Sequence, residues 1–175
     1  MKRTNETLPA VEKKGNVVEM AMADTSQFVT FYYDKHFFGL PIDDVIEINR
    51  TLDVTPVPMA PEYVSGVVNL RGQILTAIDL ATRIGLSCKN IEKKNEKKEY
   101  NNVIMGNREE PISLLVERIG DVMSIPTEKI EPPPDMIEGI DLKYVGQVCK
   151  LDSKLLIILN SKTIENTEKK KKNAG

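Results

Sequence analysis

The chain has no tryptophan, one histidine and two cysteines in 175 residues. The histidine, His36, falls in an expected surface turn with no cysteine or serine beside it to activate, and reads as surface decoration. Cys88 and Cys149 are too few for a disulfide framework, and neither lies near the ligands a metal would need. Both are expected to be buried or semi-buried free thiols, with no metal and no cofactor. No apolar run approaches the roughly 20 residues that cross a bilayer, so no direct membrane insertion is expected. The first residues lack the apolar stretch of a secretory signal, which points to the cytoplasm. Phosphate loops of the GxGxxG and GxxxxGK types are missing too. Two acid pairs, Asp43-Asp44 and Glu109-Glu110, are sequence neighbours, and neighbours on a strand point to opposite faces. Catalysis needs a nucleophile, a base and an orienting group within reach of one another. None is nominated, and a non-enzyme is expected.

What is present begins with charge. The net charge of −2 is unevenly spread. Phe28 to Cys88 carries seven acids against four bases, and Val103 to Ser161 carries ten against six. Lysines gather instead in "KNIEKKNEKKEY" (Lys89 to Tyr100) and in the final "EKKKKNAG". Such runs are ordinarily solvated segments. With acidic folded parts and no basic groove interleaved with stacking aromatics, nucleic acid is disfavoured as a partner.

Residues 1–25 show no sustained period and are expected to be a disordered leader to a domain over 26–164. "FVTFYYDKHFFGLPIDDVIEI" is rich in β-branched and aromatic residues around the polar turn Asp34-Lys35, which predicts a hairpin. Pro41 suggests that its second strand begins at an edge or bulge. "VTPVPMAPEYVSG" is punctuated by prolines and expected to be extended, and "DLATRIGL" to hold one helical turn. A lysine-rich linker over about 87–101 precedes a second series of short strands, and 165–175 is expected to be a flexible basic tail.

The chain also matches itself. "YVSGVVNLRGQILTAIDL" (Tyr63 to Leu80) aligns without a gap to "YVGQVCKLDSKLLIILNS" (Tyr144 to Ser161), 81 positions later. Upstream, "GLPIDDVIEI" answers to "SLLVERIGDV", and "PVPMAPEY" to "IEPPPDMI". Three matched segments in one order imply two copies of an all-β unit, at about 28–86 and 102–162. Units this small are expected to close into little barrels that lean on each other for core, with Leu70 and Leu156 among the core positions.

The two copies differ at one turn. The first has Asn69-Leu70-Arg71-Gly72, the second Lys150-Leu151-Asp152-Ser153. Gly72 supplies a positive φ and Asn69 can brace the turn with its amide. Arg71 has no such backbone duty. A turn-tip arginine is ordinarily just solvated, but its rigid five-donor guanidinium also suits pairing with carboxylates at an interface.

"GVVNLRGQILTAIDL", preceded by "FFGLPIDDVIEI" and "TPVPMAPEY" and followed by "VERIGDVMSIPTEKIEPPP", resembles the CheW-type coupling proteins of bacterial chemotaxis over about residues 27–164. The resemblance implies two five-stranded SH3-like barrels packed together. It also implies a cytoplasmic adaptor at the membrane-associated receptor array. There it would link the cytoplasmic tips of methyl-accepting chemotaxis receptors to the regulatory domain of a CheA-type histidine kinase. Residue by residue, it implies that Val45, Glu47, Gly66, Asn69 and Arg71 influence receptor coupling. Ile42, Val45 and Glu47, with Asp135 and Met136 of "PPPDM", would meet the kinase. It further suggests that Glu47 and Arg71 pair across the barrel surface. The chain departs from the family at Thr76, Ala81, Ser113 and Asn160-Ser161. Two other readings stay open: a CheW-like scaffold of a non-chemotactic system, and a small-barrel nucleic-acid module.

Overall fold

The computed structural model describes residues 24–50, 52–86 and 99–166. Residues 1–23 of the expected leader, most of the linker with Cys88, and the tail beyond Asn166 lie outside the described residues. Thr25, at the end of that leader, already belongs to the first strand.

Eleven strands dominate those residues: β1 (Thr25–Tyr33), β2 (His36–Pro41), β3 (Val45–Asn49), β4 (Val64–Leu70), β5 (Gln73–Asp79), β6 (Asn101–Met105), β7 (Ile112–Val116), β8 (Arg118–Pro126), β9 (Ile130–Glu131), β10 (Val145–Lys150) and β11 (Leu155–Leu159). The Asp34-Lys35 hairpin forms as expected, with Tyr33 opposite His36. Pro41 differs from expectation, because it ends β2 instead of starting it. Its missing N–H does no harm there, since the pairing of β2 with β11 stops at Gly39. A 3-10 turn over Ile42–Asp44 then carries the chain into β3, in the other sheet.

The all-β class is as expected, in two mixed sheets. One runs β8-β1-β2-β11-β10-β9 and the other β3-β6-β7-β5-β4. Each sheet takes strands from both copies of the repeat. The β1–β2 hairpin of the first copy joins β11 of the second in parallel, and the β6–β7 hairpin of the second joins β5 of the first in the same way. The registers agree with the self-alignment. Gly39 pairs with Ile158 and Ser113 with Ala77, so that "GLPIDDVIEI" and "SLLVERIGDV" hold the same place. Two short helices, Leu80–Ile84 and Ser161–Glu165, follow β5 and β11 at the same spacing of 81. Each has a side-chain N-cap that accepts from an amide three residues on, Asp79 from Thr82 and Asn160 from Thr163.

Among the described residues no backbone pairing closes either sheet into a barrel. Packing does the rolling. Val68, Leu75, Ala77, Ile104 and Leu115, with Ile46 against them, form a core that draws on all five strands of one sheet. Phe28, Phe37, Ile125, Cys149, Leu156 and Ile158, with Ile130, do the same for all six of the other. A third and larger core is shared between the sheets, with Phe31, Phe38 and Val148 meeting Ile78, Val103 and Leu114. Each copy leans on its twin because neither sheet alone can cover that face. Leu156 is fully buried, as expected. Leu70 is only half-buried, because it pairs with Gln73 at the hairpin tip.

Ser113 shows how a departure from the family pattern is absorbed. In one copy Gly39 leaves room for the side chains of Leu156 and Phe28. In the other, the buried Ser113 hydroxyl donates to Asn102 Oδ1 at 2.8 Å, so this hydroxyl is not stranded in the core.

Candidate contact surface

Strand β3 and the β4–β5 hairpin lie at opposite ends of the five-stranded sheet. Rolling brings them together, and a side-chain bridge spans the seam. Arg71 Nη1 donates to Glu47 Oε2 at 2.8 Å and Nη2 to Oε1 at 3.0 Å, which is the bidentate pair expected from the resemblance. Asn49 Nδ2 adds a third bond to Glu47 Oε1. The arginine bond, then the asparagine bond, hold the Glu47 carboxyl below its ordinary range, and the same contact pushes the Arg71 guanidinium up. The arginine side chain is 72% exposed and the glutamate 26%, so the pair sits where another molecule can reach it.

The turn beneath is built for this pose. Arg71 (φ 52°) and Gly72 (φ 88°) both have positive φ, the signs a type I′ hairpin turn requires. Asn69 Oδ1 accepts from the Gly72 amide at 2.8 Å, the bracing role expected of it. An arginine in the left-handed region is unfavourable, since its Cβ crowds the following carbonyl. A residue without a Cβ would suit this backbone better.

Gly66 serves the same hairpin from inside. It is buried at a bulge in β4 with φ +151°, and a Cβ there would lie 2.1 Å from the carbonyl oxygen of Thr55. That close approach lets Thr55 exchange two backbone bonds with Val67, both 2.8 Å, and lays the proline-rich segment along β4. Val45 and Ile42 are half-buried, Val45 against the shared core. Asp135 and Met136 are exposed, Met136 at 79%. They follow β9 of the six-stranded sheet, whereas Val45, Glu47, Gly66, Asn69 and Arg71 belong to the five-stranded one.

Several contributors were invisible in the sequence. Asn49 is one. Ile48 and Ile74 are others, being apolar side chains on β3 and β5 that stay 39% and 60% exposed. Ser161 is a fourth: its hydroxyl donates to Asp44 Oδ2 at 2.7 Å and ties the C-terminal helix to the turn that starts β3. A repeated self-alignment carries no signal for these, because they depend on which side of a rolled sheet faces out. His36 also differs from expectation. It opens β2, half-buried, with its ring 6.0 Å from Phe38 and its Nδ1 shielded without a partner. It lines a small cavity with Leu86, Glu138 and Gly139, so the ring is not surface decoration. Cys149 is fully buried, and burial pushes its thiol up, away from the reactive thiolate. Among the described residues no group of three His, Cys, Asp or Glu side chains could hold a metal ion, and no helix is long and apolar enough to cross a membrane.

The fold is that of a non-enzymatic scaffold, a duplicated all-β domain. Residues 27–168 match the CheW-like domain, and the chain belongs to the CheW family of chemotaxis scaffold and adaptor proteins. The chemotaxis protein CheW of Treponema pallidum is 34% identical over 146 residues, 82% of this chain and 84% of that one. The chemotaxis protein CheW of Thermotoga maritima is 28% identical over 134 residues, covering 77% and 83%. The crystal structure of the scaffolding protein TtCheW from Thermoanaerobacter tengcongensis superposes with a TM-score of 0.69 at 31% identity, covering 81% of this chain and 89% of that one.

Proposed function

We propose that this chain couples the cytoplasmic tips of chemoreceptors to the regulatory domain of a CheA-type histidine kinase, in the cytoplasm at the membrane-associated array. The observation that carries the reading is the exposed Glu47–Arg71 pair, held on a turn whose backbone is unfavourable for an arginine. With Asn69 in the same turn and Ile48 and Ile74 exposed on β3 and β5 of the same sheet, this sheet offers both the polar and the apolar groups that interfaces use. Val45, Glu47, Asn69 and Arg71 face the receptor in this reading, and Gly66 acts by seating the segment that backs them. Ile42, Val45 and Glu47 meet one kinase domain, and Asp135 and Met136, in the loop that follows β9 of the other sheet, meet a second. A scaffold of this kind works by holding two partners at fixed spacing, for which two rolled sheets sharing one core are well suited.

The test is kinase autophosphorylation with a receptor cytoplasmic fragment and a CheA-type kinase from the same source. It is run without this protein, with it, and with Arg71→Glu. Strong activation by the natural chain, lost in a variant that still folds, is the expected result. Absence of activation and of co-sedimentation with either partner refutes the reading and leaves a scaffold of another system.

A further inference from the structure

Between β5, the β6–β7 turn and the C-terminal helix runs an open groove of about 710 Å³. The exposed Ile74 lies on its apolar side. Its polar lining has three carboxylates, Glu109, Glu110 and Glu165, against one ammonium, Lys162. Asn166, the last described residue, stands on its lip. The sequence continues from there with Thr167-Glu168 and then four consecutive lysines, Lys169 to Lys172.

We propose that the Lys169–Lys172 run docks into this groove of its own chain. Charge and tether both favour this segment. Lys169 and Lys172 are three and six residues beyond Asn166, within roughly 10–20 Å of the lip at about 3.3–3.6 Å per extended residue. So short a tether raises the local concentration of the lysines to about the millimolar range. The described residues that flank the other lysine-rich segment, Leu86 and Glu99, line different cavities. A docked tail covers Ile74 and flanks Gln73, next to the Arg71-Gly72 turn. Such docking is salt-sensitive, because it rests on opposite charges at a solvent-exposed groove. It does not depend on which partners the contact surface meets.

The test is a comparison of amide NMR spectra of the full-length chain and its K169Q/K170Q/K171Q/K172Q variant. Docking moves the amides of Gln73–Thr76, of Glu109, Glu110 and Ile112, and of Glu165. Raising salt to about 1 M, where the Debye length is about 3 Å, moves the natural spectrum towards the variant's. Glu109→Lys with Glu110→Lys reproduces the change, and adding Lys170→Glu and Lys171→Glu to that pair reverses it. Groove amides that ignore the lysine substitutions overturn the proposal. So do shifts that scale with protein concentration, because the tail would then belong to a second copy.

Discussion

Tyr63 and Tyr144, which stand 81 positions apart at the same place in the two copies, flank a single guanidinium. Arg83, from the helix Leu80–Ile84, lies 4.2 Å from the Tyr63 ring centroid and 5.1 Å from that of Tyr144. Its Nη2 donates to the carbonyl oxygen of Thr163 at 3.1 Å, so it also joins the two short helices. The side chain is buried and has no carboxylate partner among the described residues. Its charge is balanced by ring faces and a carbonyl, at the junction of the two sheets.

Arg83→Met should therefore destabilise the protein by about 2–3 kcal/mol, combining the loss of a cation–π contact worth up to about 2 kcal/mol with that of a buried charged hydrogen bond. Arg83→Lys should rescue little of this, because an ammonium cannot lie flat between two rings. A urea-unfolding cycle with Tyr63→Leu checks it: a coupling energy indistinguishable from zero would mean that the stack is incidental.

The Glu47–Arg71 pair should matter little to folding. Arg71→Gly removes the ion pair but also the left-handed arginine, and it should melt within about 3 °C of the natural protein while losing kinase activation. The carboxyl is held low in the folded state. The pair is thus intact above the ordinary carboxylate pKa of about 4.3 and is lost as pH falls below it, through the depressed value. A ¹³C titration of the Glu47 side chain reads this directly. A midpoint at the ordinary value would show that the pair does not persist in solution.

Gly66→Ala should be costly for a different reason. The added methyl meets the Thr55 carbonyl, and the φ of +151° is itself poorly suited to alanine. Together these should remove about 2–4 kcal/mol. Amide hydrogen exchange should locate the damage at Thr55 and Val67, whose mutual bonds must open. Uniform loss of protection across both sheets, with none concentrated there, would contradict the account.

His36 should make stability pH-dependent. Burial, and then Lys35, lower its pKa, while Asp34 and Glu138 oppose the shift. The unfolded chain therefore takes up the proton first. Stability from this group is fully present above the ordinary pKa of about 6.5 and declines as pH falls below it, by at most about 1.4 kcal/mol per pH unit. As the chain has one histidine, His36→Gln should flatten that stretch of the curve without affecting any other imidazole. An unchanged slope would assign the dependence to carboxylates.

Much of this was written locally. The alternation of apolar residues, the Asp34-Lys35 turn and the gapless match of Tyr63–Leu80 to Tyr144–Ser161 determined strands, hairpins and duplication, because these depend on neighbours and on a period of two. The Asn69–Gly72 turn was legible for the same reason, as was its family resemblance. The tertiary structure alone decided that the hairpins cross over, so that β1–β2 completes the second copy's sheet and β6–β7 the first's. Parallel pairing of strands far apart in sequence leaves no local mark, since either partner offers the same apolar alternation. It also decided that the ends of one rolled sheet meet at Glu47 and Arg71, that His36 is tucked in, and that Arg83 lies between two tyrosines. Each of these depends on curvature and on which side chains the other sheet presents, quantities set by packing of the whole chain.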